Sequence, residues 1–249
     1  MSVSFVIESW AACAPGLDVP QRWRDWVGAP WLPEGEPTVP LAAVPPMLRR
    51  RFAPLGRLAA QVAFELADTP HDDEPPSVFA SRYGEAGRCL DLLADQARDQ
   101  ALSPTAFGLS VHNAIGAMVA IARGDRRNAT AIAAGRATAA AGVAEAVGLL
   151  DDGAPSAQLI VYDAPLPPAY AGFADEPGAH FAWAWRLRAP RAGEPALHLE
   201  WSATPPEGES AEAPRQLPAA LQALWFGLSD APALVQQAQG RWCRWSRDV

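Results

Sequence analysis

Residues 129–162, ATAIAAGRATAAAGVAEAVGLLDDGAPSAQLIVY, decide the fold because they predict a strand, a helix and a second strand. Residues 129–134 are typical of a buried strand, and residues 157–162 show the clearest strand pattern in the chain. Between them, Thr138–Leu150 is rich in alanine, the best helix former, and Gly153 is placed to end the helix. This spacing indicates a βαβ unit. We therefore expect an α/β protein with a mixed, mostly parallel sheet covered by helices.

The N-terminal side of this unit predicts a succession of helices with two short strands. Trp23 and Trp26 are three residues apart, so they share one face of a short helix. In an amphipathic helix over Glu85–Ala101, Leu90, Leu93 and Ala97 form the apolar side. The remaining predictions are strands at 3–7 and 77–80, a loop at 28–46, a helix that begins near Pro54 and an apolar helical segment at 114–122.

The C-terminal side has a different pattern. Residues 180–188 (HFAWAWRLR) and 196–203 (ALHLEWSA) alternate apolar and polar residues, as half-buried antiparallel strands do. A polar loop over 204–215 and a helix over 217–228 follow. The end of the chain, RWCRWSRDV, predicts a terminal edge strand.

Composition narrows the function. The chain has 249 residues, 49% of them hydrophobic, which is enough for one sizeable core. No run approaches the roughly 20 apolar residues of a membrane span. The N-terminal MSVSFVIESW is typical of a first strand rather than a signal peptide, so a soluble cytoplasmic protein is expected. The net charge of −8 disfavours a nucleic-acid partner, and the run Arg49-Arg50-Arg51 is most simply a solvated helix edge.

The residue types exclude several chemistries. The chain contains no lysine, so neither a Schiff-base enzyme nor a Walker-type phosphate loop can be built. Cys13, Cys89 and Cys243 lie far apart, and the four histidines form no HExxH pair. We therefore expect no disulfide framework, no metal site and no cofactor.

The most distinctive block is SPTAFGLSVHNAIGAM at residues 103–118. With SVFASRYGE (77–85), PPMLRRRFAPLGRLA (45–59) and ESWAACAPG (8–16), it resembles the β-ketoacyl-synthase-like N-terminal domain family of aryl-polyene pigment biosynthesis. The resemblance covers roughly residues 3–170 and implies a thiolase-like half. It also implies that residues 1–249 form one domain, with 171–249 as a family-specific antiparallel extension.

The resemblance also shows what is missing. In thiolase-fold ketoacyl synthases, a strand leads to a turn that carries the nucleophilic cysteine, and a buried helix follows. Here Arg136 lies at or within one residue of that position, and arginine cannot form a thioester. The histidine motifs of the C-terminal half are not found in these 249 residues, so we expect this chain to correspond to one thiolase-type half. In type II polyketide systems, a homologous subunit without the cysteine, the chain-length factor, pairs with the catalytic synthase and shapes its tunnel.

The resemblance thus implies a non-catalytic, chain-length-factor-like subunit that is not an enzyme on its own. Its expected partners are a β-ketoacyl-acyl-carrier-protein synthase, as a heterodimer, and an acyl carrier protein bearing the growing chain. No catalytic residue is assigned. The candidates for the interface and tunnel are Phe107, Ser110, His112, Asn113, Met118 and Arg136. Two alternatives stay open: an acyl hydrolase or transferase that uses Ser110 with His112, and a homodimeric protein that binds an acyl group or carrier.

Overall fold

The computed structural model describes residues 2–67, 75–206 and 214–248, and in them eight strands form one mixed sheet. The strands are β1 (Ser2–Cys13), β2 (Ser77–Ala80), β3 (Ala129–Ile132), β4 (Ala157–Asp163), β5 (Phe181–Arg188), β6 (Leu197–Ser202), β7 (Ala233–Ala238) and β8 (Arg241–Arg247). The helices are α1 (Pro20–Gly28), α2 (Pro46–Arg49), α3 (Pro54–Ala67), α4 (Ala86–Ala97), α5 (Pro104–Gly108), α6 (Ala114–Arg123), α7 (Thr138–Asp151) and α8 (Ala219–Leu228).

The strand order is β3-β2-β4-β5-β1-β6-β8-β7. Strand β2 pairs in parallel with β3 and β4, and the other five pairings are antiparallel. The expected mixed sheet with antiparallel C-terminal strands is confirmed. Its parallel part is smaller than the sequence predicts, because β5 and β1 insert antiparallel beside β4.

Helices cover both faces of the sheet. On one face α1, α7 and α8 pack over a core that contains Trp23, Trp183 and Trp185. On the other face α3 and α6 pack over a core that contains Phe79 and Tyr162. The predicted pairing of Trp23 and Trp26 on one helix face is confirmed, since both are buried in edge-to-face contact.

Four details of burial and edge position differ from the sequence predictions. Strand β3 is half exposed rather than buried, because it is the last strand of the sheet. Strand β5 is almost fully buried rather than half buried. The terminal strand β8 lies inside the sheet, and β7, which the sequence pattern did not predict, forms that edge. In α4 the side chain of Leu92 is buried, whereas Leu93, on the expected apolar side, is exposed.

Part of the loop predicted over 204–215 falls at residues 207–213, which lie outside the described residues. Within the described residues, no helix is both long enough and apolar enough to cross a membrane.

Candidate functional site

The candidate site lies at the carboxyl ends of the three parallel strands. Because β2, β3 and β4 point the same way, the residues that follow them meet at one edge of the sheet. This edge is where α/β folds bind ligands. Ser81 and Arg82 follow β2, Arg136 follows β3, and Asp163 ends β4.

Asp163 is a half-buried residue at this edge. Its Oδ1 accepts hydrogen bonds from the Ser81 hydroxyl at 2.9 Å and from the backbone N–H groups of Arg82 at 2.9 Å and Tyr83 at 3.4 Å. Burial nevertheless raises the pKa of Asp163 to about 7, because desolvation outweighs these bonds and the nearby Glu176 charge opposes ionisation. The carboxylate thereby ties the end of β4 to the turn after β2.

Glu176 joins two arginines from different strand ends. Its Oε1 lies 2.7 Å from Nη1 of Arg82, and its Oε2 lies 3.5 Å from Nε of Arg136. The same Oε2 accepts a hydrogen bond of 3.1 Å from the backbone N–H of Ala219, at the start of α8. The Arg82 and Glu176 side chains are almost buried, and Arg82 also pairs with Asp175. Glu176 therefore holds the turns after β2 and β3 and the start of α8 together.

The turn that carries Arg136 is a short 3₁₀ segment, Gly135–Ala137, between β3 and α7. Gly135 has φ +53°, a conformation that favours glycine. Thr138 stabilises the turn, since its hydroxyl donates to the Gly135 carbonyl at 2.7 Å and accepts from the Ala134 N–H at 3.0 Å. A Cβ on Gly135 would lie 2.4 Å from Nε2 of Gln239, so the tip of the β7–β8 hairpin occupies that space.

In the structure the side chains of Ser110 and His112 have different hydrogen-bond partners. His112 Nε2 donates to the Ser81 carbonyl at 2.8 Å, which binds it to the turn after β2. The Ser110 hydroxyl instead donates to the Phe107 carbonyl at 2.8 Å. Both bonds end on backbone carbonyls, and the pair is not arranged as a nucleophile and its base.

The other candidates lie in contrasting surroundings. Asn113 is exposed at the start of α6, and its side chain makes no capping hydrogen bond there. Met118 is buried in the core beneath α6. Phe107 on α5 is 63% exposed, the opposite of a core aromatic. Only His112 and Arg136, of the six, reach the edge at the carboxyl ends of the parallel strands.

The cysteines lie in three separate elements, and two of them are buried. Burial raises the pKa of the Cys13 thiol to about 12 and that of Cys243 to about 11, the opposite of an activated nucleophile. The Cys89 thiol, in α4, donates to the Ser110 carbonyl at 3.4 Å. The described residues contain no group of three or more side chains that could hold a metal ion.

A mostly apolar cleft of about 470 Å³ opens beside the strand ends. One wall is the turn at Tyr83–Gly87 and the other is the proline-rich segment 164–168. Leu55 and His180 also line it.

The chain is similar to known proteins in sequence and in fold. The family model described as β-ketoacyl synthase, N-terminal domain, matches residues 23–246, which is most of the chain. The chain belongs to the β-ketoacyl synthase family. No curated protein sequence matches it.

Solved structures of the family share the fold. A chain of the ketosynthase ApeO in complex with its chain length factor ApeC from Xenorhabdus doucetiae matches with a TM-score of 0.80 and 25% identity, over 98% of this chain and 100% of that one. The ishigamide ketosynthase/chain length factor matches with a TM-score of 0.62 and 16% identity, over 80% and 67%. The module 6 ketosynthase of the bacillaene synthase from Bacillus subtilis 168 matches with a TM-score of 0.53 and 13% identity, over 75% and 37%.

Sequence reasoning on this family member missed Arg82, Asp163 and Glu176. A signal existed for Arg82 and Asp163, because polar residues one or two positions after predicted strands 77–80 and 157–162 belong at the carboxyl edge. Glu176 gave no such signal, since it lies in an irregular segment between β4 and β5.

Proposed function

We propose that this β-ketoacyl synthase homologue is a non-catalytic, chain-length-factor-like subunit. It pairs as a heterodimer with a β-ketoacyl-acyl-carrier-protein synthase that elongates an aryl-polyene or related polyketide-type chain. The acyl carrier protein bearing that chain is the second proposed partner. Residues 1–249 act as one domain in this proposal.

The observation that carries the proposal is the turn after β3. The resemblance to ketoacyl synthases implies that their cysteine lies at or within one residue of this position, where this chain has Arg136 in a short 3₁₀ segment. The guanidinium faces Glu176, and Gln239 occupies the space beside Gly135. Residues of the C-terminal third thus brace the turn, and its central residue is arginine rather than cysteine.

The surface around α4, α5 and α6 supports a protein partner. Nine large hydrophobic side chains among the described residues are exposed, and five of them fall between residues 93 and 121. We call these five the exposed apolar segment: Leu93, Leu102, Phe107, Val111 and Ile121. Exposed apolar side chains that lie together on a surface mark interaction sites, and α4 and α5, which carry Leu93 and Phe107, pack against each other. Strand β3 adds an open backbone edge, as its described pairing is with β2 alone.

Co-expression with a β-ketoacyl-acyl-carrier-protein synthase of the same organism tests the heterodimer. We expect the two chains to co-elute in gel filtration at one-to-one stoichiometry in native mass spectrometry. Chain elongation should require both chains and survive Arg136→Ala in this one. A homodimer that ignores the synthase would favour the alternative of a stand-alone acyl-binding protein.

Two exposed phenylalanines provide a matched pair of variants. Phe107 lies in the exposed apolar segment, and Phe173, 74% exposed, lies in a different part of the chain. Phe107→Asp should weaken the heterodimer at least about tenfold, because it places a charge in a desolvated contact. Phe173→Asp should leave it unchanged. Equal effects of the two substitutions would remove this segment from the proposed interface.

Loss of aryl-polyene pigment on deletion of the gene tests the finer assignment. Complementation by wild type and by Arg136→Ala, but not by Phe107→Asp, is the expected pattern. If pigment persists after deletion, the pathway assignment is wrong even where the heterodimer forms.

A further inference from the structure

A serine, a histidine and an aspartate form a hydrogen-bonded chain outside the candidate site. Ser4 Oγ lies 2.9 Å from Nδ1 of His198, and Nε2 of the same ring lies 2.9 Å from Oδ1 of Asp248. The three residues come from β1, β6 and the segment after β8, so 194 positions separate Ser4 from His198 and 50 separate His198 from Asp248. A nucleophile, a base and a group that orients the base, connected in this order, are diagnostic of nucleophilic catalysis.

The hydrogen bonds run in the direction that activates Ser4. The bond from His198 and the backbone bond from Ala196 lower the pKa of Asp248, so its carboxylate is ionised at neutral pH and can only accept. Nε2 of His198 is therefore the donor to Asp248. The neutral ring then has its lone pair on Nδ1, which accepts the hydrogen bond of the Ser4 hydroxyl. His198 is thus placed to take the Ser4 proton when the serine oxygen attacks a carbonyl.

The backbone fixes Asp248 in this arrangement. Its Oδ2 accepts a hydrogen bond of 3.0 Å from the backbone N–H of Ala196, and its own N–H donates to the Ala196 carbonyl at 3.0 Å. Ala196 directly precedes β6, so these bonds set the carboxylate beside the imidazole of His198. Ser110 and His112 differ in this respect, because their side chains bond to separate backbone carbonyls.

A small hollow adjoins the three side chains. Ser4 and His198 are half-buried and Asp248 is exposed, so a solute can reach them. In the pairing of β1 with β6, Ser2 lies opposite Glu200, two residues along from Ser4 and His198. Ser2 and Glu200 line a hollow of about 170 Å³ together with Trp201, Ser202, Pro206 and Arg244. That volume suits a short acyl group rather than a long chain.

The backbone beside Ser4 has an open edge. Strand β1 pairs with β6 over Ser2–Phe5, and its pairing with β5 begins only at Val6. Successive N–H groups of a strand point to opposite edges, so every second one over Ser2–Phe5 points away from β6. That edge has no strand partner among the described residues. One of its N–H groups lies within one residue of Ser4, where it is available to the oxygen of a carbonyl under attack.

We propose that Ser4 and His198, positioned by Asp248, hydrolyse short-chain acyl thioesters. Ser4 Oγ attacks the thioester carbonyl and His198 takes its proton. The C–S bond then breaks, the thiolate leaves with that proton, and the acyl group remains on Ser4 as an ester. Water that gives a proton to His198 attacks this ester, the carboxylic acid leaves, and Ser4 regains a proton from His198.

The exposure of the site favours a thioester over an oxygen ester. A site that excludes little water stabilises developing charge only weakly, so the leaving group must be a good one. A thiol has a pKa of about 8.5, and its anion leaves far more readily than an alkoxide. The activity goes beyond the proposed function, in which this chain is non-catalytic in chain elongation.

Hydrolysis of S-acetyl-N-acetylcysteamine by the purified chain, followed by proton NMR, tests the activity. We expect turnover about a hundredfold faster than in protein-free buffer, the lower end of what a positioned base contributes. Ser4→Ala and His198→Ala should each return the rate to that of buffer. Ser246→Ala is the matched control, because this half-buried serine lies directly opposite His198 on β8, and it should leave the rate unchanged.

Asp248 has a separate test as a positioning residue. Asp248→Asn should lower kcat about tenfold with little change in KM, since the amide no longer holds the imidazole in the accepting tautomer. Asp248→Glu should recover part of that loss. A purely structural role would instead lower the melting temperature without separating kcat from KM.

A covalent probe gives a result that does not depend on how a variant folds. Incubation of the wild-type chain with a fluorophosphonate should release fluoride and leave a phosphonyl group on Ser4, which peptide mass spectrometry locates. The adduct should be absent from His198→Ala. Thioester turnover equal to that of buffer, turnover that survives Ser4→Ala, or a wild-type chain without an adduct on Ser4 would each overturn the assignment.

Discussion

The core around β5 and the segment from α4 to β3 differ in how far their apolar side chains are buried. Strand β5 lies between β4 and β1 and is buried on both faces. Trp185 is inaccessible to solvent, stacks on Phe5 and contacts the Trp245 ring edge-on. The segment from α4 to β3 instead carries five of the nine exposed large hydrophobic side chains among the described residues. The apolar side chains around β5 are buried within this chain. Those of the segment from α4 to β3 are exposed, and the proposed partner chain would cover them.

The largest expected effect is on the stability of the buried core around β5. Trp185→Ala should lower the free energy of unfolding by about 3–5 kcal/mol, because it opens a cavity among three aromatic rings. Phe107→Ala in the isolated chain should change it by less than about 1 kcal/mol. Urea unfolding followed by circular dichroism measures both. Similar losses would mean that the two regions do not differ in packing.

Glu176 tests the link between the two regions. Glu176→Gln should cost about 1–3 kcal/mol, since the nearly buried Arg82 loses one of its two carboxylate partners. Hydrogen exchange should quicken at the turn over 135–137 as well as at the start of α8, which a purely local defect would not produce. Glu200→Gln, at an exposed glutamate, is the control and should leave both unchanged.

Asp163 predicts a pH dependence of stability. Its folded pKa of about 7 lies above the ordinary value of 3.8, so the folded state binds a proton that the unfolded state releases. Its contribution to stability is complete below about pH 4 and is lost as the pH rises through 7. Asp163→Asn keeps the accepting oxygen and carries no charge. The melting temperature of Asp163→Asn relative to wild type should therefore rise from pH 5 to pH 8.

A matched substitution checks that pH trend. Asp91→Asn, at an exposed position of α4, should show no such difference. A flat difference for Asp163→Asn across the same range would show that the carboxylate ionises normally in the folded protein.

The smallest expected effect on stability is in the exposed segment from α4 to β3. Leu93→Gln on α4 should leave the isolated chain within about 0.5 kcal/mol of wild type, because the side chain is already exposed. The same substitution should weaken the heterodimer in gel filtration. A large loss of stability in the isolated chain would show that α4 packs on its own core.

Periodicity in the sequence predicted the elements whose faces differ in polarity or composition. Helix α3 was expected to start near Pro54, and α7 was expected from its alanines; both are present. Strand β5 shows the limit. Its alternation is one of size, with Trp183 and Trp185 on one face and Ala182 and Ala184 on the other, where α3 packs closely. Because the prediction relied on alternating polarity, it gave a half-buried strand where both faces are in fact buried.

The candidate site was predicted only in part for a related reason. Arg136 was placed in its turn by counting back from α7, which is a local relation. The Glu176 contacts bridge 94 residues to Arg82 and 43 to Ala219, and they depend on how the chain returns to the sheet. Long-range pairing of that kind leaves no periodic signal.

The open edge of β3 bears on the behaviour of copies of this chain that have no partner. A lone copy carries a row of backbone donors and acceptors that any other extended segment can pair with. Surplus copies would be prone to aggregation and attractive to quality-control proteases. If the proposed synthase pairs along β3, synthesis of the two chains together would keep that edge covered from the start.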